Sequence, residues 1–183
     1  WNQADYPKTL DYYFRAMKIK EKMPSQKGID GLYLKIGNTY FAIANYPMAL
    51  KYYSAVLQIQ QKNNDLKAMS STNTNIGNVY LSMLKPQKAQ EYYNTAVKIN
   101  MASPKKDILG DSYNNMGVAY YNMKDYDNAM KYFTLNLNIK KELGNMPDVA
   151  ACEMNIGNVF SQKKEYKKAL QIYFEALQIF EAT

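Results

Sequence analysis

Four hexapeptides decide how this chain folds: KIGNTY (35–40), NIGNVY (75–80), NMGVAY (115–120) and NIGNVF (155–160). They recur at a spacing of 40, with glycine at 37, 77, 117 and 157. Outward from them, further columns hold the same phase: Ala49, Ala89, Ala129, Ala169, then Tyr53, Tyr93, Phe133, Tyr173, then Ile59, Ile99, Ile139, Ile179. So many columns in register over four units make the chain an internal repeat. A partial unit precedes them, because YPKTLDYYFRAMKI (6–19) matches YPMALKYYSAVLQI (46–59).

Inside each unit the apolar spacing is helical. Ile76 and Tyr80 are four apart, and Ala89, Tyr93, Ala96 and Ile99 follow i, i+4, i+7, i+10. Each unit is therefore predicted to be two helices, A and B, joined by a short turn. Proline belongs in a first helical turn, where its missing N–H has no partner to lose. Pro7, Pro47 and Pro86 are placed at B-helix starts and Pro24, Pro104 and Pro147 at A-helix starts, with Ser103 as an N-cap. A helical glycine costs about 1 kcal/mol against alanine, so Gly77 is read as a point of close approach where A and B cross. Most of the 18 tyrosines, Tyr53, Tyr80 and Tyr93 among them, are then packing residues.

Glycine in helix A, alanine early in helix B and an aromatic four residues later resembles the tetratricopeptide repeat over essentially the whole chain. The 40-residue period exceeds the usual 34 and is similar to the extended variety in spindle-orientation adaptors, kinesin light chains and bacterial regulators. The early helix-A aromatic is present at Tyr33 and Tyr113 but is Asn73 and Glu153 in the other units, and the proline that often closes helix B is missing. The resemblance implies an all-α fold, a right-handed α-solenoid with A helices on the concave side. The expected division is 1–22 (helix B only), 23–62, 63–102, 103–142 and 143–183.

Function is expected on that inner face. The A spans 30–42, 70–82, 110–122 and 150–162 carry only Asp30, Lys35, Asp111 and Glu153 as charges, so the basic excess lies on B helices and loops. Asn75, Asn78 and Ser82 share a helix face at i, i+3, i+7, and Asn155, Asn158 and Gln162 repeat it. Asn38, Asn115 and Asn122 extend the series, with Val118 interrupting. An asparagine amide can both donate to and accept from the backbone of an extended peptide. Phe41, Leu81 and Tyr121, in one column, are the expected apolar anchors. The competing reading is that these amides are solvated or bond one another between repeats. Family members that clamp an acidic C-terminus use lysine and arginine on helix A; Leu34, Asp111 and Asn115 stand here instead, which argues against that ligand.

The expected partner is a protein or peptide, and the expected role is a module of a larger regulatory or signalling protein. The alternative is an oligomerisation or sensory domain of a bacterial histidine kinase, nucleotide cyclase or transcription regulator. The last helix carries Ile172, Phe174, Leu177, Ile179 and Phe180 on more than one face, so uncapped ends suggest further repeats, a joined domain or homo-oligomers. The chain lacks an initiating Met and is read as a piece of something longer. The cytoplasm is the expected compartment, the periplasm the alternative for a membrane-anchored sensor. No run of apolar residues reaches the length of a membrane span.

The formal charge of +7 raises nucleic-acid binding. Lys163, Lys164, Lys167 and Lys168 are the densest cluster, but acids interleave the lysines and Arg15 is the only arginine, so a solvated face is the preferred account. Histidine is absent and Cys152 is the sole cysteine, which removes the usual metal ligands and nucleophile systems. No enzyme activity, cofactor or metal is expected. Asp125 and Asp127 read as helix-start residues and Cys152 as a small packing residue.

Overall fold

The computed structural model describes residues 5–22, 28–102 and 105–182. These form nine helices: α1 (Tyr6–Glu21), α2 (Ile29–Ala42), α3 (Tyr46–Lys62), α4 (Leu66–Ser82), α5 (Pro86–Met101), α6 (Lys106–Asn122), α7 (Tyr126–Glu142), α8 (Met146–Gln162) and α9 (Tyr166–Ala182). Helices α2, α4, α6 and α8 are the A helices, and each packs most heavily on the B helix that follows it. Contact beyond chain neighbours is slight, as expected of a quasi-one-dimensional stack.

Short polar side chains set the helix starts. Asp5, Asn45, Asp65, Asp125 and Asn145 each accept a hydrogen bond from the backbone N–H three residues on, at 3.0–3.3 Å. These bonds satisfy donors that have no intrahelical partner. Pro7, Pro47, Pro86 and Pro147 fall in first turns as expected. Helices α2, α5 and α6, with N-caps Gly28, Lys85 and Lys105, have no side-chain cap bond. Ser103, Pro104 and Pro24 lie outside the described residues.

The turns close with one device. Leu84 N–H bonds Leu81 C=O at 2.9 Å and Lys85 N–H bonds Tyr80 C=O at 2.9 Å, and the same pair of bonds recurs at Ala44, Lys124 and Lys164. This paired closure needs a left-handed residue just after the helix. Ala44, Leu84, Lys124 and Lys164 adopt it with φ of 57–63°, though none is glycine.

At the crossing of each hairpin, helix A comes too close to helix B for a side chain. A Cβ on Gly77 would lie 2.4 Å from the Tyr93 ring, and Gly37, Gly117 and Gly157 meet Tyr53, Phe133 and Tyr173 in the same way. Tyr53, Tyr93 and Phe133 are buried beneath, with Ala49, Ala89 and Ala129 fully enclosed beside them. A second aromatic layer stacks across each of the first three complete hairpins. Tyr40 on Tyr52, Tyr80 on Tyr92 and Tyr120 on Tyr132 have centroids 5.4–5.8 Å apart and planes within 20°. Where the early aromatic of helix A is replaced, buried Asn73 bonds Met69 C=O at 2.7 Å and Glu153 pairs with Lys141 at 3.3 Å.

Candidate functional site

The asparagines divide into two groups. Asn38, Asn78 and Asn158 directly follow the close-approach glycines, and each side-chain oxygen accepts a hydrogen bond from the tyrosine packed beneath. Tyr53, Tyr93 and Tyr173 hydroxyls donate at 2.7, 2.6 and 2.7 Å. In the third complete unit Val118 stands for asparagine and Phe133 for tyrosine, so donor and acceptor vanish together. Burial holds the Tyr53 phenol up at about 12 and pushes Tyr93 still higher, so both hydroxyls stay protonated donors at neutral pH. The pairing orients the amide. Its oxygen points to the tyrosine, and its Nδ2 has no hydrogen-bond partner among the described residues.

Asn75 and Asn115 are half-buried and make no side-chain hydrogen bond among the described residues. Asn155 donates to Asn114 Oδ1 at 3.1 Å, bridging α8 and α6. Asn122 turns back onto its own helix, donating to Val118 C=O at 2.8 Å, and Gln162 accepts from the Tyr126 hydroxyl at 3.4 Å. Ser82 is exposed. The nominated anchors are half-buried and lean on the next element. Phe41 lies 6.2 Å from Tyr46, Tyr121 lies 5.8 Å from Tyr126, and Leu81 covers the core around Tyr93 and Met116. Tyr121, Asn155, Asn158 and Val118 come together around a recess of about 80 Å³.

The sparsely charged face expected from helix A carries a charged cluster between α6 and α8. Lys140, on helix B, buries its side chain to 5% exposure and reaches between them to Asp107, Asp111 (2.8 Å) and Asp148 (3.2 Å). Burial opposes its charge, but the hydrogen bonds it donates to the carboxylates win and raise its pKa. A depression of about 340 Å³ opens beside it, lined by Asp111, Asn115, Asn136, Lys140, Asp148 and Asn155, among others. Counting helix-A charges missed this cluster, because its cation comes from helix B. Gln60 and Asn100 hold the matching positions, and all three side chains are buried.

The remaining expectations are local. Asp125 caps α7 and Asp127 pairs with Lys163 at 2.8 Å. Burial raises the Cys152 thiol to about 11, far from a reactive thiolate. Two of the lysines are answered locally, Lys168 by Glu165 at 2.6 Å and Lys106 by Glu142. Among the described residues no helix is long and apolar enough to cross a membrane, and no cluster of ligand-type side chains could hold a metal ion.

A family model described as tetratricopeptide repeat matches residues 29–102 and 109–182. The chain belongs to the tetratricopeptide repeat family. No curated protein sequence matches it significantly. Among solved structures, this repeat protein is similar to BtubC (BKLC) from P. vanneervenii, with a TM-score of 0.88 at 22% identity over 98% of this chain and 75% of that one. It is similar to a Rap protein complexed with Competence and Sporulation Factor, with a TM-score of 0.78 at 18% identity over 97% of this chain and 49% of that one. Kinesin light chain TPR-like repeats from Podosopora anserina align with a TM-score of 0.82 at 14% identity, covering 95% and 86%. At these identities the likeness establishes the fold, an α-solenoid of tetratricopeptide repeats. That fold is consistent with protein–protein interaction.

Proposed function

We propose that the face shared by α2, α4, α6 and α8 binds an extended polypeptide segment, within a larger regulatory or signalling protein. The observation that carries this is the amide of Asn38, Asn78 and Asn158, each with its oxygen held by a tyrosine hydroxyl and its Nδ2 left without a partner among the described residues. A pinned donor loses little freedom when it meets a guest carbonyl, and such preorganisation is what weak contacts need. The Rap complex, a protein of the same fold holding a bound factor, supports the reading.

Magnitude sets the rest. Three donors at about 1 kcal/mol each reach no better than millimolar affinity, so apolar anchors must add to them, and Phe41, Leu81 and Tyr121 fill that role. The test is a pull-down with the full-length protein, wild type against Asn75, Asn78, Asn155 and Asn158 changed to alanine. Tyr93→Phe and Tyr173→Phe unpin two of the amides without removing them and lower recovery by a smaller step. Partner recovery falls in the alanine variant; unchanged recovery with an intact helical spectrum rules the amides out.

A second reading rests on α9, where Leu170, Phe174 and Leu177 are 56%, 63% and 49% exposed along one helix. That face suits a contact with further repeats, a joined domain or a second copy, the arrangement a sensory or oligomerisation module would use. Light scattering of wild type against Phe174→Lys separates a self-associating face from the groove.

A further inference from the structure

The depression beside Lys140 is lined mostly by polar and charged side chains. Its polar floor residue is Asn136, where the matching positions are Val56, Ala96 and Ala176, ordinary core residues. Asn136 is 3% exposed, donates through Nδ2 to Cys152 Sγ at 2.9 Å, and leaves Oδ1 with no partner among the described residues. A buried amide oxygen without a donor costs stability, and such a group in a native fold calls for an explanation.

The charges favour one sign of ligand. A lysine ammonium has three protons, and Lys140 spends them on Asp107, Asp111 and Asp148, so it keeps nothing for an anion. Three carboxylates face that one ammonium. Asp107 and Asp148 stand in the first turns of α6 and α8, where the helix termini offset part of their charge. Asp148 is further engaged by Asn145 at 2.9 Å. Asp111, a turn later on α6 and 64% exposed, is the least compensated. Around it stand Asn114, Asn115 and Asn155, whose amide oxygens accept hydrogen bonds.

Resting on the groove reading above, we propose that this depression holds the guanidinium of an arginine in the bound segment, paired with Asp111 and accepted by the amide oxygens of the floor. A planar fork of five donors matches several dispersed acceptors better than a single ammonium does.

The probe is N-acetyl-arginine N-methylamide, titrated into the whole chain and followed by backbone and side-chain amide NMR, with the citrulline analogue as its neutral isostere. Shifts gather at Asp111, Asn136, Cys152 and Asn155 and saturate in the millimolar range. Asp111→Asn weakens binding by about fivefold, the upper end for an exposed ion pair, and Asn136→Val, which copies Val56, weakens it too. Shifts absent, scattered elsewhere, or equal for citrulline overturn the proposal. Selection of wild-type binders from a random peptide display keeps the two readings apart. Groove binders without arginine would overturn the pocket alone. The capped arginine binding here while no peptide is captured would leave the pocket and overturn the groove.

Discussion

Replacing Tyr93 by phenylalanine deletes one hydroxyl from a fully packed crossing. The bond lost is the 2.6 Å contact to Asn78, whose oxygen, in a half-buried residue, can turn to water instead. The cost is therefore that of one neutral hydrogen bond, about 1 kcal/mol. Asn78→Val removes the other partner and strands the hydroxyl of a ring that is 1% exposed, at a cost of about 1–3 kcal/mol. Making both changes reproduces what the chain already holds at Val118 and Phe133. The double variant should cost less than the two singles combined by about 1 kcal/mol, equivalent to about 2–4 °C in melting temperature for a protein of this size. Repeat arrays can unfold in stages, so urea melts should be accompanied by hydrogen exchange at α4 and α5 amides. Strict additivity of the two substitutions would refute the coupling.

Gly77→Ala should destabilise despite gaining about 1 kcal/mol of helix propensity, because the new Cβ would sit 2.4 Å from a Tyr93 ring with nowhere to move; thermal melting with far-ultraviolet circular dichroism reads the loss. Leu84→Gly should stabilise by about 0.5 kcal/mol, since the left-handed backbone penalises leucine; φ is 57° and the side chain is 87% exposed, so a urea midpoint moving downward would contradict this. Alkali should unfold the chain through its buried phenols. Tyr53 titrates near 10 unfolded and about 12 folded. Below pH 10 it is protonated in both states, and above that the unfolded chain ionises first, so stability drains away between pH 10 and about 12. Tyr53→Phe should shrink that loss, as followed by tyrosinate absorbance alongside circular dichroism.

The period of 40 made the paired helices and their crossings legible, because glycine, alanine and aromatic columns each encode a packing distance. Helix starts were legible where Asp, Asn or Pro mark them, while the start expected at Ser103–Pro104 lies outside the described residues. The asparagine–tyrosine pairing was visible in principle, since Val118 and Phe133 depart from their columns jointly. It was missed because the two columns lie 15 residues apart on different helices. Lys140 was harder to place. A lysine late in helix B reads as a solvated end, and only tertiary packing turns it inward against carboxylates from two neighbouring helices.

In the groove proposed above, the gap at Val118 would set a reading frame for the guest. A trough built from identical rungs invites its occupant to slip by a whole unit, since every offset satisfies the same donors. Skipping one rung makes the offsets inequivalent: a guest displaced by one unit sets a carbonyl against valine and forfeits a bond. If the proposed groove is used, the irregular unit would supply an index mark along an otherwise uniform ruler.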